Sequence, residues 1–245
     1  MADARHILRI SGSDAKSFLQ GLVTNDVDKT RDGLVYAALL TPQGKYLADF
    51  FMLADGEDIL IDVDASLAAP LKMRLSMYNL RADVAIADAD LSVHRGLSDA
   101  TEDGHLDPRD PTLGWRAFRD VAQTDDTTDW TSLYVTAEVP QTGVELHSDS
   151  YILEMGFERL NGVDFRKGCY VGQEVTARMK HKTELRKGLA KVTVSGAADP
   201  GDEITANGKP VGTLHSRAGN QALAYLRFDR ATGEMQAGDA KLTRP

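Results

Sequence analysis

The chain has 245 residues, 37 acidic against 28 basic, a formal charge of −9 and 42% hydrophobic content, which excludes intrinsic disorder and leaves room for one large domain or a large and a small one. The acidic balance argues against nucleic acid as the main ligand, because phosphate neutralisation needs a basic face. With one cysteine, Cys169, no apolar run of membrane-span length and no N-terminal stretch resembling a signal or transit peptide, the expectation is a cytoplasmic protein without disulfides.

In chain order, Ile7–Ile10 predicts a strand, and Ser13 is placed to cap a helix whose Ala15, Phe18, Leu19 and Leu22 share one face. Leu34–Leu40, Tyr46–Leu53 and Ile59–Val63 read as a β-meander, with turn residues in Thr41–Lys45 and Asp55–Asp58 between them. Leu67, Leu71, Leu75 and Tyr78 mark a helix with Pro70 expected in its first turn. Val84–Ala87 and Leu91–His94 read as strands, and the Gly, Asp and Pro-rich stretch 95–111 as a connection. This order predicts an α+β fold with largely antiparallel sheet. Further on, Leu189–Val194 alternates, Pro200-Gly201-Asp202 turns, Asn207-Gly208 signals a hairpin, and Val211–Leu214 and Ala222–Phe228 follow as strands. Residues 188–245 therefore predict a small β-barrel after a first portion spanning 1–187.

From Arg166 to Lys187 there are seven basic residues and two acids, so an anion-binding patch belongs there if anywhere. Phosphate-loop, dinucleotide, zinc-protease and nucleophile-elbow patterns are absent from the sequence, and the six histidines lack ligand spacing, so no metal site is expected. The distinctive stretch runs from Asn161 to Arg178. Gly168 and Gly172 bracket Cys169 and let the backbone approach a partner closely, while Arg166 and Lys167 favour a thiolate. A reactive or ligand-donating thiol and a buried structural cysteine both remain open on this chemistry.

Lys167-Gly-Cys-Tyr-Val-Gly-Gln-Glu174 resembles the K-G-C-Y-x-G-Q-E signature of the YgfZ family, folate-binding proteins of iron-sulfur cluster assembly and repair related to the glycine-cleavage T-protein. The resemblance extends to Phe18–Asp26, Leu40–Lys45, Gly212 and Ala222–Arg230. It implies a folate-binding α+β portion like the T-protein fold and a C-terminal β-barrel. Leu133–Val135 and Ala137–Pro140 depart from the family pattern, and Ala48 stands where the T-protein turn has its first acid. Asp49 aligns with the second, which is the catalytic carboxylate in T-proteins.

The same resemblance implies Cys169 and Asp49 as catalytic residues and Glu154, Lys167, Tyr170, Gln173, Glu174 and Arg178 as cofactor contacts, with no metal ligand. Glu154, in Leu153-Glu-Met-Gly156, matches the T-protein acid that binds the pterin. A pterin ring presents an N–H beside an amino group, a donor pair that one carboxylate accepts bidentately, and the glutamate tail calls for cations such as Arg178, Lys180 and Lys182. The bland readings are a solvated acid for Glu154, a solvated face for the basic run, core packing for Tyr170 and turn chemistry for Asn25 and Asp26. The implied cofactor is tetrahydrofolate or a one-carbon derivative. Implied partners are client iron-sulfur enzymes or cluster-assembly proteins, with no nucleic acid and no membrane. Clusters take about four ligands, so contact with a lone cysteine would be shared or transient. Two alternatives are a folate-dependent aminomethyl or one-carbon transferase, using Asp49 as acid-base group, and a non-enzymatic interaction scaffold.

Overall fold

The computed structural model describes residues 4–181 and 185–244, so Lys182, one of the cations expected to meet the folate tail, lies outside the described residues. The chain forms two compact units, Met1–Thr127 with Glu158–Val175, and Thr128–Phe157 with Thr176–Pro245. The segment Thr128–Phe157 thus groups with the C-terminal residues. Helix α4 is Gln173–Lys180 and contains the division.

In the first unit the order is β1 (Arg5–Ser11), α1 (Ala15–Gln20), a 3-10 turn (Val27–Arg31), β2 (Val35–Leu40), β3 (Tyr46–Asp55), β4 (Asp58–Asp64), α2 (Ala65–Tyr78) and β5 (Ala85–Asp88). The strands make one antiparallel sheet in the order β2-β3-β4-β1-β5. Side chains alternate across a strand, so Leu8, Ile10, Leu39, Phe50, Met52, Ile61 and Val63 share a core with Leu19, Leu71 and Leu75 of the two helices. Tyr36, Asp49, Phe51 and Asp62 occupy the alternate positions and are buried as well. The central strands are therefore covered on both faces, and the second face is polar.

Two local expectations are corrected. The α1 N-cap is Asp14 rather than Ser13: the Ser13 hydroxyl donates to Asp83 at 2.9 Å, and the Asp14 carboxylate accepts the Asp83 amide at 2.8 Å and makes no cap bond. Leu22 lies beyond the helix end. Helix α2 starts at Ala65, where the Asp64 carboxylate accepts the Ser66 amide at 2.9 Å, so Pro70 falls inside the helix rather than in its first turn. The strand expected at Leu91–His94 is β6 (Ser92–Gly96); the stretch read as a connection carries β7 (His105–Leu106), and β8 (Trp115–Arg119) beyond it completes a sheet in the order β6-β8-β7. Strand β8 escapes a pattern search because Arg116, almost fully buried, interrupts its apolar run.

The second unit contains α3 (Trp130–Thr136) and six strands: β9 (Lys187–Ser195), β10 (Glu203–Ala206), β11 (Lys209–Ala218), β12 (Gln221–Arg227), β13 (Met235–Ala237) and β14 (Ala240–Thr243). They close into a barrel, β10-β11-β12-β9-β14-β13. Its interior is filled by Val192, Val194, Ile204, Leu214, Leu226, Met235 and Leu242. The β10–β11 hairpin turns at Asn207 and Gly208 with φ of 51° and 70°, the positive pair that a two-residue hairpin loop requires. The fold is α+β, with antiparallel sheets and a small closed barrel.

Candidate functional site

The signature loop hangs on the connection that follows α1. Lys167 is buried, and its Nζ donates to the carbonyls of Gln20 (2.8 Å), Val23 (2.6 Å) and Asn25 (3.0 Å). A helix end leaves carbonyls without internal partners, and a lysine ammonium satisfies three at once. Burial lowers the Lys167 pKa to about 8, with Asp26 and Asp164 opposing the fall. The ammonium also lies 5.3 Å from the centre of the Tyr170 ring. Lys167 was expected to contact the cofactor, and its three donors are committed to the backbone instead.

Around this bowl the chain is knitted by short polar contacts. The Thr24 hydroxyl donates to the Gly162 carbonyl at 2.7 Å, and the Asp164 amide donates to the Thr24 carbonyl at 3.0 Å. Asn25 donates through Nδ2 to the carbonyls of Tyr36 and Asn161 at 2.8 and 2.7 Å. Asp26 caps the 3-10 turn, as its turn chemistry predicts. Lys29 pairs with Asp164 at 2.7 Å and holds that carboxyl below its ordinary range. Asn25, Lys29, Glu158, Asn161, Asp164, Phe165 and Arg166 line a cleft of about 260 Å³.

Downstream of the cysteine the loop meets the Thr41–Lys45 turn. At Gly172, with φ of 85°, an added Cβ would lie 2.7 Å from the Thr41 carbonyl oxygen, and at Gly44, with φ of 74°, it would lie 2.9 Å from Cβ of Val175. Two glycines therefore let the signature and the turn touch backbone to backbone. Between these anchors Gly168 and Cys169 are exposed, and a Cβ at Gly168 would meet nothing within 4 Å. Of the two readings of Cys169, the buried structural one is inconsistent with this exposure. Tyr170 is buried, as its packing reading predicts. Gln173 and Glu174 begin α4, with Glu174 exposed; Arg178 and Lys180 stand in its last turn, both exposed.

Asp49 lies on the polar face of the first sheet. Its two oxygens accept the hydroxyls of Tyr36 at 2.9 Å and Tyr46 at 2.6 Å, and only 6% of the residue is exposed. Burial, then the Asp49 charge, raises the Tyr36 pKa well above its ordinary value, so the phenol remains a donor. The Arg109 guanidinium stacks 4.7 Å from the Phe51 ring centre and pairs with Asp107 at 2.8 Å. Arg116 bridges Asp107 and Asp62 at 3.3 and 3.1 Å. A carboxylate enclosed by two phenols is a poor proton shuttle.

Glu154 belongs to the second unit. The Tyr225 hydroxyl donates to its Oε2 at 2.5 Å, Lys187 stands 3.6 Å from the same oxygen, and the Glu154 carbonyl accepts the Leu189 amide at 2.7 Å. Burial raises the Tyr225 pKa, and the hydrogen bond to Glu154 raises it further. Sequence reasoning did not find Tyr225 or Lys187 as neighbours of Glu154. The signal for Tyr225 was its place on β12, between inward-facing Ala224 and Leu226, where a strand points its side chain out of the barrel.

Comparison with known proteins bears on these features. Residues 186–244 match the family model of the CAF17 C-terminal beta-barrel domain. The iron-sulfur cluster assembly factor IBA57 homolog, mitochondrial, of Mycosarcoma maydis is 31% identical over 80% of this chain and 57% of its own length; that of Pyricularia oryzae is 34% identical over 75% and 54%. The chain thus spans little more than half the length of these fungal relatives. The mouse iron-sulfur cluster assembly factor IBA57, mitochondrial, is 28% identical over 95% of this chain and 78% of its own. Over most of its length the chain is similar to these IBA57 assembly factors. Its fold is also that of the glycine cleavage system aminomethyltransferase T from Bartonella henselae, with a TM-score of 0.72 over 97% of this chain and 81% of that one, at 11% identity. The cytoplasmic expectation is corrected by the same relatives, which are named as mitochondrial proteins. A low cysteine count does not say in which compartment a chain resides.

Proposed function

We propose that this chain is a YgfZ-family, tetrahydrofolate-binding factor in the assembly or repair of iron-sulfur clusters, acting on client enzymes or cluster-assembly proteins through the thiol of Cys169. The observation that carries the reading is an exposed, sole cysteine presented between two anchors by the signature loop. The names of the IBA57 relatives support the cluster-assembly role. The T-protein fold supports a folate ligand, and Glu154 supplies the acceptor for the pterin donor pair. Tyr170, Gln173, Glu174 and Arg178 are the further candidate folate contacts, and the two portions 1–187 and 188–245 are the proposed folate-binding and barrel domains. The transferase alternative relies on Asp49, whose two oxygens already accept phenols, and the assembly reading does not need it.

Isothermal titration with tetrahydrofolate tests the ligand. Binding to the natural chain is expected, and Glu154→Gln should weaken it roughly 10- to 100-fold through loss of one charge-assisted bidentate pair. No binding, or equal binding by the variant, removes the folate or Glu154 from the reading. Cys169→Ala should retain folate affinity and fail to restore iron-sulfur enzyme activity in cells lacking the protein; full restoration would return the cysteine to a role without chemistry.

A further inference from the structure

We propose that Lys167 is the positioning residue of the signature loop: its ammonium, seated on the carbonyls of Gln20, Val23 and Asn25, sets where the Cys169 thiol stands. The stoichiometry is complete. A lysine ammonium has three N–H donors, and three carbonyl oxygens meet it at 2.8, 2.6 and 3.0 Å, so no donor remains for a folate carboxylate. The loop is fixed on both sides of the thiol. Upstream, the Asp164 amide bonds Thr24 and the Asp164 carboxylate accepts the Arg166 amide at 2.7 Å. Downstream, Gly172 lies against the Thr41 carbonyl. Lys167 is the last anchored side chain before the exposed pair Gly168 and Cys169.

The groups facing the ammonium are Asp26, Asp164 with its partner Lys29, and the Tyr170 ring. With a pKa of about 8 the residue stays mostly charged at neutral pH, which the three-carbonyl seat requires. The role assigned to the thiol rests on the reading above; the seat itself does not.

Because Cys169 is the only cysteine in this sequence, the chain takes a thiol-specific nitroxide there with no other change. Electron paramagnetic resonance is then compared for the natural chain, Lys167→Met and Lys167→Gln, alongside tetrahydrofolate titration of the unlabelled proteins. Without the charge-assisted seat, the Lys167→Met label should tumble about threefold faster or more, with Lys167→Gln intermediate because it retains N–H donors, while folate affinity stays within about twofold. An unchanged label spectrum overturns the proposal, and a tenfold or greater affinity loss with an unchanged spectrum makes Lys167 a folate contact instead. Should circular dichroism show Lys167→Met unfolded, the Lys167→Gln spectrum decides alone. If the natural chain binds no tetrahydrofolate, the folate reading fails while the label comparison still tests the seat.

Discussion

The polar face of the first sheet and the flank of the barrel each hold buried acid, and they hold it differently. Asp49, Asp62 and Asp107 are closed in by phenols and guanidinium groups, most of them almost wholly removed from water. Among the described residues Glu154 meets one phenol and one half-exposed ammonium, both at Oε2. A carboxylate whose acceptor sites are filled from within holds the fold together; one approached at a single oxygen can still accept a ligand's donors. The difference separates two acids that the T-protein resemblance had both assigned to function.

The widest separation should come from the guanidinium network. Asp107→Ala leaves Arg109 and Arg116 without that buried counter-charge and is expected to cost about 3 to 5 kcal/mol in urea unfolding, with tetrahydrofolate affinity per folded molecule unchanged. Next, Asp49→Leu leaves the Tyr36 and Tyr46 hydroxyls without their acceptor and should cost about 2 to 3 kcal/mol, of which adding Tyr36→Phe and Tyr46→Phe recovers a large part. A stability change under about 0.5 kcal/mol would show that Asp49 is not structural.

Acid titration sharpens the same contrast. Burial works to raise the Asp107 carboxyl, but Arg109 and Arg116 outweigh it and hold it at about 2. Its folded pKa lies below the unfolded value of about 3.9, so its contribution, about 2 kcal/mol, is present above pH about 4 and fades as pH falls toward 2. Urea midpoints of the natural chain should drop over that window and flatten in Asp107→Asn. The smallest effects belong to the barrel flank. Tyr225→Phe should cost about 1 kcal/mol and Lys187→Met about 0.5 kcal/mol or less, because the lysine is half-exposed and screened. Tetrahydrofolate titration of Tyr225→Phe should show affinity equal or higher, since a competing donor has left Glu154; a tenfold loss would mean that the phenol itself binds folate.

Much of the fold is legible in the chain. The three-strand meander, both main helices and the barrel hairpin at Asn207-Gly208 follow from period, turn chemistry and positive-φ residues, all of which act over a few positions. What escaped was β8, whose buried Arg116 reads as polar until Asp62 and Asp107 are brought to it. The α1 cap expected at Ser13 falls at Asp14 and α2 begins earlier than Pro70 suggested, since several acids and serines compete locally and the winner depends on neighbours such as Asp83.

At the candidate site the sequence by itself determined the exposed cysteine's setting: a signature of eight residues, two glycines permitting close backbone approach, and a local excess of cations on an acidic chain. That signature also carries the resemblance to the YgfZ family. Only the tertiary structure decided which charges stay exposed and which are taken up by the chain itself. Lys167 and Arg166 are adjacent cations in the sequence, yet one is buried on the carbonyls of Gln20, Val23 and Asn25 while the other is exposed. Asp49 and Glu154 are both acids matched to the T-protein, yet one is enclosed by two tyrosines and the other is reached at one oxygen. The reason is physical: whether a charge is available depends on hydrogen-bond partners supplied from positions far along the chain, and nothing in the local sequence records who those partners are.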